Sequence, residues 1–197
     1  MSRFQQRSAT VEGRSVTLVI GGARSGKSKF AVQQALDTDS VAFIATARAS
    51  DPEMVAKIKR HLEERPASWT TVEEPLELAS TISQQSGKHS LLVIDCLTLF
   101  AANLLESLAD DPSAIDKRIN QLCSEIKGSK SSIILVTNEV GSGIVPSFAV
   151  GRRFRDLLGE INQRVAAVST TVVLMVAGIP MLVKGEMGVR STERIVV

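Results

Sequence analysis

A glycine-rich segment that carries one lysine and one serine could bind a nucleoside triphosphate. Residues Gly21 to Ser28 read GGARSGKS and fit the phosphate-loop pattern G-x-x-x-x-G-K-[ST] at every fixed position. In such a loop, glycines let backbone N–H groups approach the phosphates, the lysine reaches the β- and γ-phosphates, and the hydroxyl ligates Mg²⁺. We therefore expect Lys27 to contact the triphosphate and Ser28 to ligate the metal. The alternative is a glycine-rich turn that binds nothing.

Two carboxylates follow apolar runs that resemble buried strands. Asp95 ends the run that starts at Leu91, a position from which a carboxylate beside a phosphate loop holds Mg²⁺ directly or through water. An aspartate at a strand end can instead cap the next helix. Glu139 follows the run 133–137 and is a candidate base or substrate ligand. A turn carboxylate that accepts backbone N–H groups explains Glu139 equally well.

A histidine within a predicted helix is the third candidate. Ser50, Pro52 and Glu53 form a good helix start, and at 100° per residue His61 lies about 20° around the axis from Met54, which belongs to the apolar face. A lone helical histidine is most often a packing or surface residue. Here the neighbouring residues add a cation for phosphate and carboxylates for a sugar or base, which favours a nucleophile or ligand. These neighbours are Glu63, Glu64, Arg65, Glu73 and Glu74.

The elements that would position these groups alternate along the chain. Apolar runs predict strands, and segments with a helical period, among them residues 29–36, 50–64, 115–126 and 154–168, separate them. The runs span residues 16–21, 41–46, 90–95, 131–137 and 171–177. This alternation predicts an α/β fold with a mainly parallel sheet and helices on both faces. Ligands of such sheets bind beyond the carboxyl ends of the strands, where Asp95 and Glu139 fall.

Two further features concern the ends of the chain. The segments 172–177 and 181–183, separated by Gly178 to Pro180, predict a hairpin that adds an antiparallel edge to the sheet. Residues 1–15 are polar and lack a sustained period, so we expect a mobile leader followed by a single domain over residues 16–197.

Composition excludes several functional classes. With 44% hydrophobic and 22% charged residues among 197, the chain is typical of a globular domain. A net charge of +2 and 4% aromatic residues argue against a nucleic-acid partner. The apolar runs are far shorter than the roughly 20 residues that cross a bilayer, and no secretory pattern opens the sequence, so we expect no stable membrane insertion and a cytoplasmic location. Cys96 and Cys123 are too far apart for a C-x-x-C motif and are expected to act as small buried hydrophobic residues.

Several segments together form a specific set, in which only the phosphate loop is widespread. They are the GGARSGKS loop, Ile44 to Thr46, Asp51 to Met54, Ile58 to His61, Arg65-Pro66 with Trp69, Asp95, Thr137 to Gly141 with Gly143 to Pro146, Phe154 to Asp156, and Asn162-Gln163. On these residues, the chain from about Thr17 to Lys184 resembles the bifunctional adenosylcobinamide kinase and adenosylcobinamide-phosphate guanylyltransferase family of cobalamin biosynthesis. The leader and the tail after Lys184 are not part of the pattern, and Arg60 stands where a relative can carry a second histidine.

The resemblance implies two reactions in one protein. In the first, a triphosphate bound at the phosphate loop gives its γ-phosphoryl group to a hydroxyl of adenosylcobinamide. In the second, His61 attacks the α-phosphate of GTP, and adenosylcobinamide phosphate then takes GMP from the histidine. ATP and GTP are the implied nucleotides and Mg²⁺ the implied metal. The implied nucleotide-binding residues are Gly21, Gly22, Ala23, Arg24, Ser25, Gly26, Lys27, Ser28, Thr46, Ala47, Arg48, Leu62, Glu63, Glu64, Arg65, Glu73 and Asp95.

The resemblance also implies a RecA-like P-loop fold and a homo-oligomer, a trimer, with the nucleotide near a subunit boundary. Two other functions remain open at this point. An ordinary small-molecule kinase would use the phosphate loop without a covalent intermediate, and His61 would be structural. A RecA-type nucleotide-gated assembly on DNA would need a basic groove, whereas Arg152, Arg153 and Arg155 occupy one helical turn and are more typical of a solvated face or an oligomer contact.

Overall fold

A computed structural model of the chain describes residues 13–48, 55, 65–109 and 111–186. The helices and strands of this part alternate along most of its length. In chain order they are β1 (Val16–Gly21), α1 (Lys27–Ala35), β2 (Val41–Ala45), β3 (Thr70–Glu73), α2 (Leu78–Gln85), β4 (Leu91–Asp95), α3 (Leu97–Leu108), α4 (Pro112–Gly128), β5 (Ser132–Asn138), α5 (Ala149–Val168), β6 (Thr171–Val176) and β7 (Ile179–Lys184). The predicted helix over residues 50–64 lies outside the described residues except for Val55, which is helical.

The seven strands form one sheet in the order β3-β2-β4-β5-β1-β6-β7. All neighbouring pairs are parallel except β6 and β7, which are antiparallel. The prediction of a mainly parallel sheet with an antiparallel C-terminal edge is therefore confirmed. Strand β1 lies between β5 and β6, so the phosphate loop that follows it opens near the middle of the sheet.

Apolar side chains cover both faces of the sheet. Leu92 and Ile94 of β4 face a cluster that includes α2, α3, α4 and α5, while Leu91 and Val93 face the side on which α1 packs. Because the central strands are buried on both faces, their sequences are mainly apolar and do not alternate between polar and apolar residues. This burial explains why the sequence pattern located them.

The structure corrects the sequence prediction at one strand and one turn. Strand β3 was not predicted, because Thr70, Thr71 and Glu73 are polar and exposed; backbone pairing with β2 defines it. The hairpin connection was predicted over Gly178 to Pro180, but the turn consists of Ala177 and Gly178. Both have positive φ, 50° and 83°, as two-residue hairpin turns that follow the strand twist require.

The first described residues are already tied to the domain. The Arg14 guanidinium donates to the carbonyl oxygens of Lys127, at 2.6 Å, and of Ser129. The backbone N–H of Ser15 donates to the Ser132 hydroxyl at 3.2 Å. The leader expected over residues 1–15 otherwise falls on residues 1–12, which lie outside the described part. None of the helices described is both long and apolar enough to cross a membrane.

Candidate active site

The phosphate loop connects the end of β1 to the start of α1, and two of its glycines have specific steric roles. A Cβ at Gly21 would overlap the carbonyl oxygen of Met175 on the neighbouring strand and would lie 2.8 Å from the Ser25 hydroxyl. Gly26 caps α1 with a φ of 93°, a conformation that strains residues with a side chain. Gly22, in contrast, has no atom within 4 Å of the place that a Cβ would take. Glycine is therefore required by packing at Gly21 and by backbone conformation at Gly26.

Replacement of Gly21 by alanine is expected to destabilise the protein, because the new methyl group would meet backbone atoms that cannot rotate away. Overpacking of this kind costs about 1–3 kcal/mol. Chemical denaturation without nucleotide should show a lower unfolding midpoint for Gly21→Ala. The control is Gly22→Ala, whose midpoint should remain near that of the wild type. Equal midpoints for both variants would contradict the packing that the structure gives to Gly21.

Lys27 is the first residue of α1, and its side chain turns back into the loop. It is only 7% exposed, and its Nζ donates to the Gly22 carbonyl oxygen at 2.5 Å and to the Ser25 hydroxyl at 3.3 Å. Burial lowers the pKa of Lys27, and the charge of the neighbouring Asp95 partly opposes this effect. The ammonium group therefore lies among the acceptors of the loop itself, close to the carboxylate at the end of β4.

Asp95 ends β4, between Ala45 of β2 and Val136 of β5 in the register of the sheet. Its backbone oxygen accepts a hydrogen bond from Thr46 at 3.2 Å. The N-cap of α3 is Cys96, and no side-chain hydrogen bond caps this helix. Asp95 thus lies at the edge of the sheet that carries Lys27 and does not act as the cap of the next helix.

Glu139 joins the loop after β5 to the phosphate loop. Its backbone N–H donates to the Gly21 carbonyl oxygen at 3.0 Å. Its carboxylate accepts from the backbone N–H groups of Gly141, at 2.6 Å, and Ser142, at 3.1 Å. Partial burial raises the pKa of Glu139, but the hydrogen bonds from Ser142 and Gly141 and the charge of Arg155 outweigh it, so that the pKa is lowered overall. An ionised carboxylate therefore organises its own turn at the edge of the site.

A buried polar cluster fixes the ends of the strands beside Asp95. The Thr46 hydroxyl donates to the Cys96 carbonyl oxygen at 2.7 Å and accepts from the Cys96 N–H at 2.9 Å. Asn103 of α3 donates through Nδ2 to the carbonyl oxygens of Thr46, at 2.9 Å, and Pro75, at 3.0 Å. These bonds hold the chain where it leaves β2. Asn103 was not predicted from the sequence; the available signal is a polar residue that shares a helix face with the apolar Phe100 and Leu104.

Replacement of Asn103 by alanine is expected to lower stability, since two carbonyl oxygens would lose their shared donor in a place where Asn103 is only 7% exposed. Buried polar groups left without a partner cost about 1–3 kcal/mol. Urea unfolding of Asn103→Ala should therefore show a clearly lower midpoint. Asn120→Ala, at an exposed position of α4, is the matched control and should change the midpoint little. The account of this cluster fails if the two variants unfold alike.

The end of β5 is held in a similar way. The Thr98 hydroxyl accepts from the Asn138 N–H at 2.8 Å. Asn162 of α5 accepts from the Thr137 hydroxyl at 2.7 Å and donates to the Asn138 carbonyl oxygen at 3.0 Å. The strand end that precedes Glu139 is thereby fixed by helices α3 and α5.

The sequence was also compared with models of known protein families. The model of the family described as cobinamide kinase / cobinamide phosphate guanyltransferase matches residues 17–183. The chain belongs to this family. It is 44% identical over 170 residues to the bifunctional adenosylcobalamin biosynthesis protein CobP of Pseudomonas aeruginosa, covering 86% of this chain and 97% of that protein. It is 39% and 37% identical over 178 residues to the proteins named CobU from Salmonella typhimurium and Escherichia coli, covering 85% of this chain and 98% of each of them.

A solved structure supports the fold assignment. The ATPase of a type III secretion system is similar to this chain with a TM-score of 0.53 and 13% identity, over 81% of this chain and 50% of that one. At this identity, the likeness concerns the fold alone. It confirms the predicted P-loop α/β fold, with its mainly parallel sheet, for this member of the cobinamide kinase / cobinamide phosphate guanyltransferase family.

The segment 61–65, which was predicted to bind the nucleotide, is described only in part. His61, Leu62, Glu63 and Glu64 lie outside the described residues. Arg65 is the first described residue after these four, and its guanidinium lies 3.3 Å above the ring centroid of Phe43. The Phe43 ring also stacks on Trp69, with 6.4 Å between the centroids. Phe43 belongs to the core cluster on the α1 face, so the segment returns to the sheet on that face.

The remaining predicted nucleotide residues lie near the ends of neighbouring strands. Thr46 is fully buried, whereas Ala47 and Arg48 are partly exposed directly after β2. Arg48 forms an ion pair with Glu106 of α3 at 3.0 Å. Glu73 is the exposed last residue of β3, opposite Ala45 in the parallel register. The structure thus brings the phosphate loop, Asp95, Glu139, Thr46 to Arg48 and Glu73 to one edge of the sheet.

Two other predictions concern the cysteines and the arginines of α5. Cys96 and Cys123 are free and partly buried. Burial raises the pKa of Cys96 to about 11, and it also raises the pKa of Cys123, so both remain protonated thiols that pack against the core. Arg152 donates to the Pro146 and Ser147 carbonyl oxygens and Arg153 to that of Ala109, so these two arginines bind neighbouring loops of the same chain.

Proposed function

We propose that this protein phosphorylates adenosylcobinamide with a nucleoside triphosphate. In our proposal it then transfers GMP from GTP to adenosylcobinamide phosphate through a GMP-histidine intermediate, and the product is adenosylcobinamide-GDP. The observation that carries the proposal is a phosphate loop with a buried Lys27 beside Asp95, in a chain that belongs to the cobinamide kinase / cobinamide phosphate guanyltransferase family. The phosphate loop would bind one triphosphate. The nucleophiles of the two reactions would attack different phosphorus atoms of that triphosphate.

In the proposed kinase step, the hydroxyl of the aminopropanol arm attacks the γ-phosphorus. A new O–P bond forms, the bond to the β-phosphate oxygen breaks, and the nucleoside diphosphate leaves. Phosphoryl transfer depends mainly on positioning and on stabilisation of charge. Backbone N–H groups of residues 21–28 and the Lys27 ammonium provide both for the β- and γ-phosphates. We assign to Glu139, whose carboxylate is ionised at neutral pH, the binding of the substrate hydroxyl and acceptance of its proton.

The residues present fit a magnesium ion. Within the described part of the chain, no group of three or more His, Cys, Asp or Glu side chains could hold a metal alone. Mg²⁺ bound with nucleotides takes one or two protein oxygens and fills its shell with phosphate oxygens and water. Ser28, in the first turn of α1, and Asp95 are proposed to supply these oxygens, directly or through water. The ion would neutralise charge on the phosphates during transfer.

In the proposed guanylyl transfer, the neutral imidazole of His61 attacks the α-phosphorus of GTP and pyrophosphate leaves. A phosphate oxygen of adenosylcobinamide phosphate then attacks the phosphoramidate, and the histidine is released. A covalent intermediate divides one difficult displacement into two easier ones. We assign Thr46, Ala47, Arg48, Leu62, Glu63, Glu64, Arg65 and Glu73 to the binding of the guanine nucleotide. This assignment is supported by the position of Thr46, where the chain leaves β2 at the edge of the sheet that carries the phosphate loop.

The finer assignments of substrates and location belong to the same proposal. ATP and GTP are proposed as donors for the first step and GTP for the second. We also propose a cytoplasmic homotrimer, with the nucleotide near a subunit boundary, because the sequence pattern resembles that of a family with this organisation. Sedimentation equilibrium on the purified chain tests the trimer, and a monomer at micromolar concentration would contradict it.

The test of the proposed function is product analysis with purified protein. Adenosylcobinamide incubated with ATP or GTP and Mg²⁺ should yield adenosylcobinamide phosphate, and with GTP it should proceed to adenosylcobinamide-GDP with release of pyrophosphate. Phosphorylation without any guanylylated product would favour an ordinary small-molecule kinase. Nucleotide hydrolysis that single-stranded DNA stimulates, without turnover of cobinamide, would favour a RecA-type assembly instead.

A further inference from the structure

An open groove of about 560 Å³ lies between α3, the loop after β5 and the first turns of α5. Its walls are mainly apolar and include Leu105, Val140, Pro146, Phe148, Val150 and Phe154. A volume of this size falls within the range of about 300–1,000 Å³ that is typical of small-molecule sites. The groove borders the loop that follows Glu139 and was not predicted from the sequence.

Large apolar side chains at the mouth of the groove are exposed. Phe148 is 62% and Val150 61% exposed, and Ile144 in the same loop is 96% exposed. A contiguous exposed apolar patch with a polar rim typically marks a binding surface. Gly151 lies directly under this patch, because a Cβ there would lie 2.5 Å and 2.8 Å from the Phe148 ring and 2.8 Å from Pro146.

The loop after β5 links the groove to the phosphate loop. Glu139 donates its N–H to the Gly21 carbonyl oxygen at 3.0 Å, and the next residue, Val140, lines the groove. A ligand seated in the groove could therefore extend a polar arm along this loop to the triphosphate.

The polar rim consists of one acid and one base. Glu106 and Arg155 line the groove, and Glu106 is held at 3.0 Å by Arg48, which directly follows the end of β2. The charge of Arg155 acts on Glu139. Glu106 and Arg155 thus interact with Arg48 and Glu139, which lie at the edge of the sheet that carries the phosphate loop.

We propose that this groove binds the corrin macrocycle of adenosylcobinamide and of its phosphate. The inference rests on the proposed function and specifies where its larger substrate sits. A corrin ring carries methyl groups on its flank and amide side chains around its rim. The methyl-bearing flank packs against Phe148, Val150 and Leu105, and the amides meet Glu106 and Arg155. The aminopropanol arm then follows residues 139–143 to the phosphate loop.

The first test removes apolar surface at exposed positions, where folding should not suffer. The variants are Phe148→Ser, Val150→Ser and their combination. The matched controls are Ile179→Ser and Val183→Ser, which are each 64% exposed on β7, an edge strand of the sheet. Equilibrium dialysis with adenosylcobinamide, which is coloured, should show at least tenfold weaker binding by the double variant and no change in the controls. The KM for adenosylcobinamide should rise to the same extent, whereas the KM for GTP should not change.

A second test narrows the groove without removing any group. Gly151→Ala would push the Phe148 ring and Pro146, whereas Gly159→Ala on the same helix meets no atom within 4 Å. Both substitutions replace a helical glycine by alanine, which has the higher helix propensity. Gly151→Ala should therefore weaken adenosylcobinamide binding several-fold. Because the Pro146 ring cannot rotate away from the new methyl group, the thermal unfolding of Gly151→Ala and Gly159→Ala is measured as well, and binding is compared at a temperature at which both variants are folded.

The outcomes separate this inference from the proposed function. If the wild-type protein neither binds nor converts adenosylcobinamide, both fail. If the wild type converts it and the double variant binds it as tightly as the wild type, only the inference is overturned. A double variant with unchanged corrinoid affinity and a smaller sedimentation coefficient would assign the groove to a second copy of the chain, which also overturns the proposal.

Discussion

Lys27→Met will lose both the phosphorylation of adenosylcobinamide and the transfer of GMP. The ammonium group, held by the Gly22 carbonyl oxygen and the Ser25 hydroxyl in this structure, is the cation placed to neutralise charge on the β- and γ-phosphates. Removal of one preorganised group of this kind costs about 10²–10³-fold in rate. Initial rates of both reactions at saturating cobinamide should therefore fall by at least a hundredfold.

The stability of the same variant shows whether the loss is catalytic. Burial lowers the pKa of Lys27, which means that burying its charge costs free energy of folding. Methionine has a similar length and no charge, so Lys27→Met should not destabilise the protein. Lys29→Ala, at an exposed position of α1 two residues later, is the matched control and should keep both activities. A folded Lys27→Met variant with more than a tenth of either activity would refute the proposed role of the phosphate loop.

His61→Ala will separate the two reactions. Without the imidazole, no GMP can be attached to the protein, and guanylyl transfer should fall by at least about a thousandfold, because loss of a nucleophile removes the covalent route. Phosphorylation of adenosylcobinamide, in which His61 has no proposed role, should remain within a few-fold of the wild-type rate. The measurement is labelling with α-labelled GTP, followed by separation of the phosphorylated and guanylylated products.

The second histidine of the chain supplies the control. The His89 ring nitrogen Nδ1 lies 3.0 Å from the Ser40 hydroxyl, in the turn before β4. His89→Ala should therefore label with GMP as the wild type does. If His61→Ala still labels fully, or if His89→Ala loses the label, the assignment of the nucleophile is wrong.

The burial of each strand explains why the sequence predicted the central strands of the sheet and missed β3 at its end. Strands β1, β2, β4 and β5 are buried on both faces, so each contains a mainly apolar run that stands out in the sequence. Strand β3 lies at the end of the sheet and exposes three of its four residues, so its pairing with β2 leaves no hydrophobic pattern. The hairpin was located, but its turn was placed too late, because Ala177 adopts a positive φ that its residue type does not favour.

The sequence likewise predicted some parts of the candidate site and missed others. The fixed spacing of the phosphate loop and the strand-end positions of Asp95 and Glu139 predicted that they lie at one edge of the sheet, and in the structure they do. The hydrogen bonds that Asn103 donates and that Thr98 accepts depend on which helix covers which strand end. This tertiary contact has no characteristic spacing in the sequence. The groove beside Phe148 arises from α3, α5 and a loop that are distant in the sequence, so its apolar residues looked like ordinary surface or core positions.

Mass spectrometry of the intact protein after incubation with GTP and Mg²⁺ tests the central claim most directly. The claim is that one phosphate loop orients a triphosphate for two attacks, by a cobinamide hydroxyl at the γ-phosphorus and by an imidazole at the α-phosphorus. The account predicts an adduct with the mass of one GMP, stable in base, labile in acid, absent from His61→Ala and discharged by adenosylcobinamide phosphate. A wild-type protein that phosphorylates adenosylcobinamide and transfers GMP without ever carrying this adduct would contradict it.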